Sequence, residues 1–171
     1  MKKVNSHRFY MKLLFSLIIL LFYAEVSFAQ PSLPERTITV TATQGLYFGK
    51  FYDLGTGGSV SIDWQGIRTT TGGIVAAPNS DARPALFEIR LCQGRNVTIT
   101  YAPTAILTGS NGGAFTLNIG PTEKGVNGAS FAMENNCNFI TMLRVGGTLT
   151  IPGNSPPGFY SGNFEISFDQ Q

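Results

Sequence analysis

The chain holds one histidine in 171 residues, His7, inside its first dozen. Beyond that point no imidazole is present for a Ser-His-Asp or Cys-His catalytic set, and the commonest metal ligand is missing. Cysteine occurs twice, as Cys92 and Cys137, too few for a cysteine-rich zinc site. No long run of helical period occurs, and no GxxxxGK[ST] phosphate loop opens a helix. These absences argue against an enzyme and call for no cofactor and no metal.

The one long apolar run, LLFSLIILLF, follows the basic stretch MKKVNSHRFYMK and precedes the small residues Ser27 and Ala29. That order is a secretory signal peptide, residues 1–29, with cleavage expected between Ala29 and Gln30. The run is shorter than the ~20 residues of a bilayer span. The mature chain, 30–171, is therefore expected to be exported without an integral membrane span, to the periplasm, the outer surface or the medium. Lys2, Lys3, Arg8, Lys12 and Glu25 leave with the signal. Eight basic and nine acidic residues stay, a net charge of −1. The basic pI belongs largely to the signal, so no nucleic-acid partner is implied. In an exported chain the even cysteine pair reads as a Cys92–Cys137 disulfide. Such a loop contributes about 4 kcal/mol in the chain-entropy model. Two free thiols are the alternative.

The mature chain is rich in glycine, threonine, serine and asparagine, and its apolar residues alternate in short runs. Ile38, Val40 and Ala42 share one face; Leu46, Phe48 and Phe51 point inward. So do Val60, Ile62 and Trp64; Phe87, Ile89 and Leu91; Val97, Ile99 and Tyr101; Phe115, Leu117 and Ile119. Leu143, Val145, Leu149 and Ile151 follow, with Gly146-Gly147 as an expected bulge. The closing run carries Tyr160, Phe164, Ile166 and Phe168. Loops are expected at 55–58, 69–73, 77–84, 108–113 and 121–130, and a helical turn near 131–135. Alternation with one wet face predicts an all-β fold: one antiparallel, immunoglobulin-like sandwich of about seven to nine strands. The runs fall short of the ~9–11 residues of a transmembrane barrel strand.

Few residues mark chemistry. The carboxylates show no pair set across a cleft, as a glycosidase needs, and read as solvated surface. Asp53 and Asp81 lie among oxygen-bearing residues but lack the spaced carboxylates of a calcium loop. Trp64, Tyr47, Tyr52 and Tyr160 read either as core and edge cover or as a sugar-stacking platform.

Two longer stretches carry a resemblance. ITVTATQGLYFGKF holds a Leu-x-Phe-Gly motif, and VGGTLTIPGNSPPGFYSGNFEISF closes the chain. Together they resemble a family of exported bacterial domains of unknown function, over roughly Arg36 to Asp169. That family pairs an early L-x-F-G with a late GGTLTV…NPPGTYSGTFTVTF segment. It is similar in turn to spore-coat U proteins and archaic chaperone–usher pilins. This chain departs from those at Ser161-Gly162, and has Thr43 where they carry an early cysteine. The resemblance implies a pilin-like sandwich lacking a strand, filled by an N-terminal segment. Ile38, Val40 and Ala42 would mark the donor or closing strand. It would enter a neighbour, or fold back beside the C-terminal strand of Tyr160, Phe164, Ile166 and Phe168. The expected function is a non-enzymatic structural or adhesive cell-surface protein, partnered by itself or related subunits. The alternative is a monomeric envelope module binding a glycan or a protein through its loops.

Overall fold

A computed structural model describes residues 5–24, 37–92, 96–134, 136 and 138–170. The chain divides into two units, Met1–Glu35 and Arg36–Gln171. The first contains a helix, α1 (Asn5–Ala24). No helix among the described residues is long and apolar enough to cross a membrane. The expected cleavage site lies outside the described residues.

The second unit is all antiparallel β. Its strands are β1 (Ile38–Gln44), β2 (Phe51–Ile62), β3 (Arg68–Ala76), β4 (Ala85–Leu91), β5 (Asn96–Tyr101), β6 (Thr104–Gly109), β7 (Ala114–Thr122), β8 (Ser130–Ala132), β9 (Thr141–Ile151), β10 (Tyr160–Ser161) and β11 (Ile166–Gln170). The larger sheet runs β1-β4-β9-β7-β6-β10, with β2 beside β9 beyond the end of β4, and β3 outside β2. The smaller sheet runs β11-β5-β8. Val60, Ile89, Leu143 and Val145 from the first sheet and Val97 and Ile99 from the second are fully buried in one shared core. Removing each such side chain from water is worth about 1.5–3 kcal/mol. This is the sandwich-like arrangement that the alternation demands.

Several local expectations change. Gly55–Gly58 and Thr69–Gly73 are not loops but parts of β2 and β3. The register of that ribbon slips between Asp53 and Gly58, where the Asp53 carboxylate takes the Gly55 and Gly57 amides at 2.8 and 3.0 Å. A carboxylate so used is a turn-maker. The segment Leu46–Lys50 is not a strand: it carries a single bridge, Tyr47 to Arg83. Trp64 lies past the end of β2 in a turn and is exposed rather than inward. Phe131 sits in a short strand, not a helical turn; Asn135 lies outside the described residues. Gly146-Gly147 is no bulge, because Leu143, Val145, Leu149 and Ile151 alternate without a break. The irregularity lies opposite, on β7 between Ile119 and Thr122, at the cis Gly120-Pro121 bond.

Tyr101 sits at the core margin, its ring packed where a Gly120 side chain would be. Burial pushes its phenol above the ordinary tyrosine range; the hydrogen bond with Asn127 acts the other way. An unfolded chain loses this proton near pH 10, before the folded one does. The unfolded state then binds fewer protons, so stability is full below about pH 10 and falls above it. Tyr101→Phe should lessen the drop in urea midpoint between about pH 9 and about pH 11. An unchanged drop would assign the alkaline sensitivity elsewhere.

Candidate functional site

The backbone hydrogen bonds show which edges are open. Ile99 spends both its N–H and its C=O on the Gly128–Ala129 side. Tyr101 does the same through the Asn127 side-chain amide, at 3.0 and 2.7 Å. In an antiparallel ladder, Phe168 and Ile166, directly opposite, must then aim their own backbone groups away from β5. β11 ends its sheet, so those groups face outward with no strand beside them among the described residues. Their side chains face the core, where the Phe87 ring meets Phe164 and Phe168 at centroid distances of 6.4 Å each.

β1 is the matching edge of the larger sheet. It pairs with β4, placing Ile38 opposite Leu91, Val40 opposite Ile89 and Ala42 opposite Phe87. Cys92 N–H donates to Thr37 at 3.5 Å, so Thr39 and Thr41 bond inward and Ile38, Val40 and Ala42 offer their backbone outward. Thr43 and Gln44 fasten the end of the strand by donating to the carbonyls of Leu86 and Pro84, at 3.2 and 2.8 Å. The strand thus folds back on β4. It does not lie beside Phe164–Phe168 in one sheet, which corrects that expectation. Its apolar residues share the face of Ile89 and Leu91, yet Val40 stays 38% exposed where Ile89 is 0%. Between the end of β1 and the Gly162–Phe164 crossing opens a cavity of about 360 Å³, floored by Leu46, Phe87 and Leu117.

Tyr160 is held by the fold: its ring stacks on Phe115 at 3.6 Å, and its hydroxyl donates to the Pro156 carbonyl at 2.6 Å. It is therefore removed from any surface platform. Tyr52 points outward near the start of β2, the opposite end from Trp64. Tyr47 and the turn that carries Trp64 both border the Arg83-Pro84 segment. The Tyr47 and Arg83 backbones exchange hydrogen bonds of 2.9 and 2.8 Å, and the Arg83 guanidinium lies 5.5 Å over the Tyr47 ring. The turn carrying Trp64 abuts the next residue, Pro84, through Gly66.

Cys92 follows β4 directly and is not a free thiol. Cys137 lies outside the described residues, so the Cys92–Cys137 bond stays a proposal. Among the described residues no cluster of His, Cys, Asp or Glu is arranged for a metal.

No curated protein and no solved structure showed a significant match to the chain. One domain family does match, over residues 38–169, from the first residue of β1 to the next-to-last of β11. The chain belongs to that family, described as "Domain of unknown function (DUF4402)".

Proposed function

We propose that the protein is an exported, non-enzymatic structural or adhesive component of the cell surface, of pilin-like type, that joins like subunits by exchanging β1. The observation that carries this reading is the exposure of β1. Five of its seven residues are exposed, Val40 of the apolar face among them, while Ile38 alone of that face packs against the core. Its tie to the domain is chiefly the ladder to β4, and an identical segment of a second copy would make the same ladder. An open apolar edge is an aggregation hazard, and cover of that edge by the adjoining subunit would favour the assembly. The likeness to spore-coat U proteins and archaic chaperone–usher pilins supports the same mode. Export rests on the signal-like N-terminus, and the Cys92–Cys137 bond would brace β4, the strand that receives β1.

Light scattering on residues 30–171, beside a form lacking residues 30–43, tests the reading. The full form should contain ordered oligomers. The truncated form should be a monomer that accepts a synthetic TITVTAT peptide. A strictly monomeric full form whose truncation unfolds would mean that β1 only closes its own sheet.

A further inference from the structure

We infer that the Trp64–Tyr47 face is a carbohydrate-binding site. The turn after β2 is built to hold its shape. The Asp63 carboxylate accepts the Gln65 and Ile67 amides at 2.9 and 2.8 Å. Asp63 N–H donates to the Ile67 carbonyl at 3.1 Å, and Gly66 N–H to the Asp63 carbonyl at 3.0 Å. Four hydrogen bonds over five residues fix this turn before any ligand arrives, which lowers the entropic cost of binding. What they hold outward is apolar. Trp64 is 36% exposed and Ile67 58%, at a turn that a soluble chain fills readily with polar side chains.

The second ring comes from a distant part of the sequence. Tyr47 is 42% exposed, with the Arg83 guanidinium 5.5 Å over its ring. Arg83 and Pro84 are consecutive, and a Cβ built on Gly66 would lie 3.6 Å from Pro84 Cδ, so the turn runs close beside that segment. Two exposed aromatic rings thus border one short segment. Around them stand Gln65, which can donate and accept, and Arg83, which only donates. Flat rings that meet the C–H face of a pyranose, rimmed by an amide and a guanidinium for its hydroxyls, suit a sugar chain. The size of the patch argues against a protein partner. Stable protein interfaces need about 800 Å² a side, far more than these few side chains offer. The site adjoins the end of β1, where Gln44 donates to the Pro84 carbonyl at 2.8 Å, but takes no residue from β1 or β11, and its sugar titration is read apart from the oligomeric state.

Trp64 is the only tryptophan of the chain, so its fluorescence reports this place alone. Residues 30–171 should be titrated with a neutral glucan hexasaccharide, with chitohexaose and with an oligogalacturonate. At least one should shift the emission saturably and protect Trp64 from acrylamide. A response to the galacturonate alone would assign Arg83 a carboxylate to bind; a response to the neutral sugars would assign the stacking. Tyr47→Ala should weaken binding roughly tenfold, as loss of one stacked ring predicts. Tyr52→Ala, exposed at the far end of β2, should leave it unchanged. No response from any of the three sugars overturns the proposal. So does binding that survives both Tyr47→Ala and Trp64→Ala, read by affinity electrophoresis with circular dichroism as the control for folding.

Discussion

Gly146→Ala is expected to destabilise the domain by about 3 kcal/mol or more, while Gly147→Ala, one residue on, costs about 1 kcal/mol. The difference lies in what each new methyl would meet. At Gly146 it would overlap the Ile62 carbonyl oxygen and press on Asp63 at 3.0 and 3.1 Å, all of it backbone. Relief requires moving the end of β2 off β9, which strains the ladder from Gly58–Ile151 to Ile62–Gly147. At Gly147 the methyl would meet the tips of the Leu117 and Leu46 side chains at 3.0 Å, and the Asn118 carbonyl at 3.1 Å. Leucine tips can change rotamer; a strand crossing cannot. Neither glycine has a positive φ, so the contrast isolates close approach from backbone conformation. Urea unfolding of the two variants reads it directly. Equal midpoints would mean that the β2–β9 junction gives way more easily than its contacts imply.

The same pair shows where the sequence was readable. Phe115, Leu117 and Ile119, or Val97, Ile99 and Tyr101, alternate because one face of each strand is fully buried, and burial writes period two into the chain. β3 and β6 escape such a reading. Arg68–Ala76 runs through three threonines and two glycines after Arg68, and Thr104–Gly109 shows only a half-buried face. Both lie far from the middle of their sheet, where little apolar pattern is required. Leu46–Lys50 imitates a strand by composition. The positive φ of Gly49 and the backbone of Asp81 pressed against it make it a bend instead. Alternation likewise placed Trp64 in the core, but the Asp63 turn breaks the period one residue earlier and swings the indole out. The candidate site was least legible of all. Tyr47 and Trp64 were visible as aromatics, but that both border Arg83-Pro84 depends on the bridge from Tyr47 to Arg83 and on the approach of Gly66 to Pro84, contacts between distant residues that no local pattern announces.

Val40→Lys should leave the monomer nearly as stable as the parent and abolish its oligomers. In the closed monomer Val40 is 38% exposed on an edge strand, so a lysine can carry its charge into water along its own stem. The expected cost is under about 1 kcal/mol, a fall in Tm of only a few degrees for a domain of this size. Exchange of β1 keeps the same ladder and the same place beside Ile89, but in the assembly the adjoining subunit would cover the apolar side chain that the closed monomer leaves partly exposed. An unpaired ammonium buried there costs several kcal/mol, enough to reduce association by orders of magnitude. Thr41→Lys is the control. Thr41 shares the strand and its backbone bonds but points to the outer face, opposite Glu88, where a lysine is harmless. Light scattering and thermal melts on both variants decide the matter. Oligomers lost only with Val40→Lys, at unchanged Tm, would place the apolar face of β1 at the subunit contact. Oligomers that persist in both variants would remove the apolar face of β1 from the subunit contact, and a Tm that falls steeply with Val40→Lys would show the strand already sealed within its own chain.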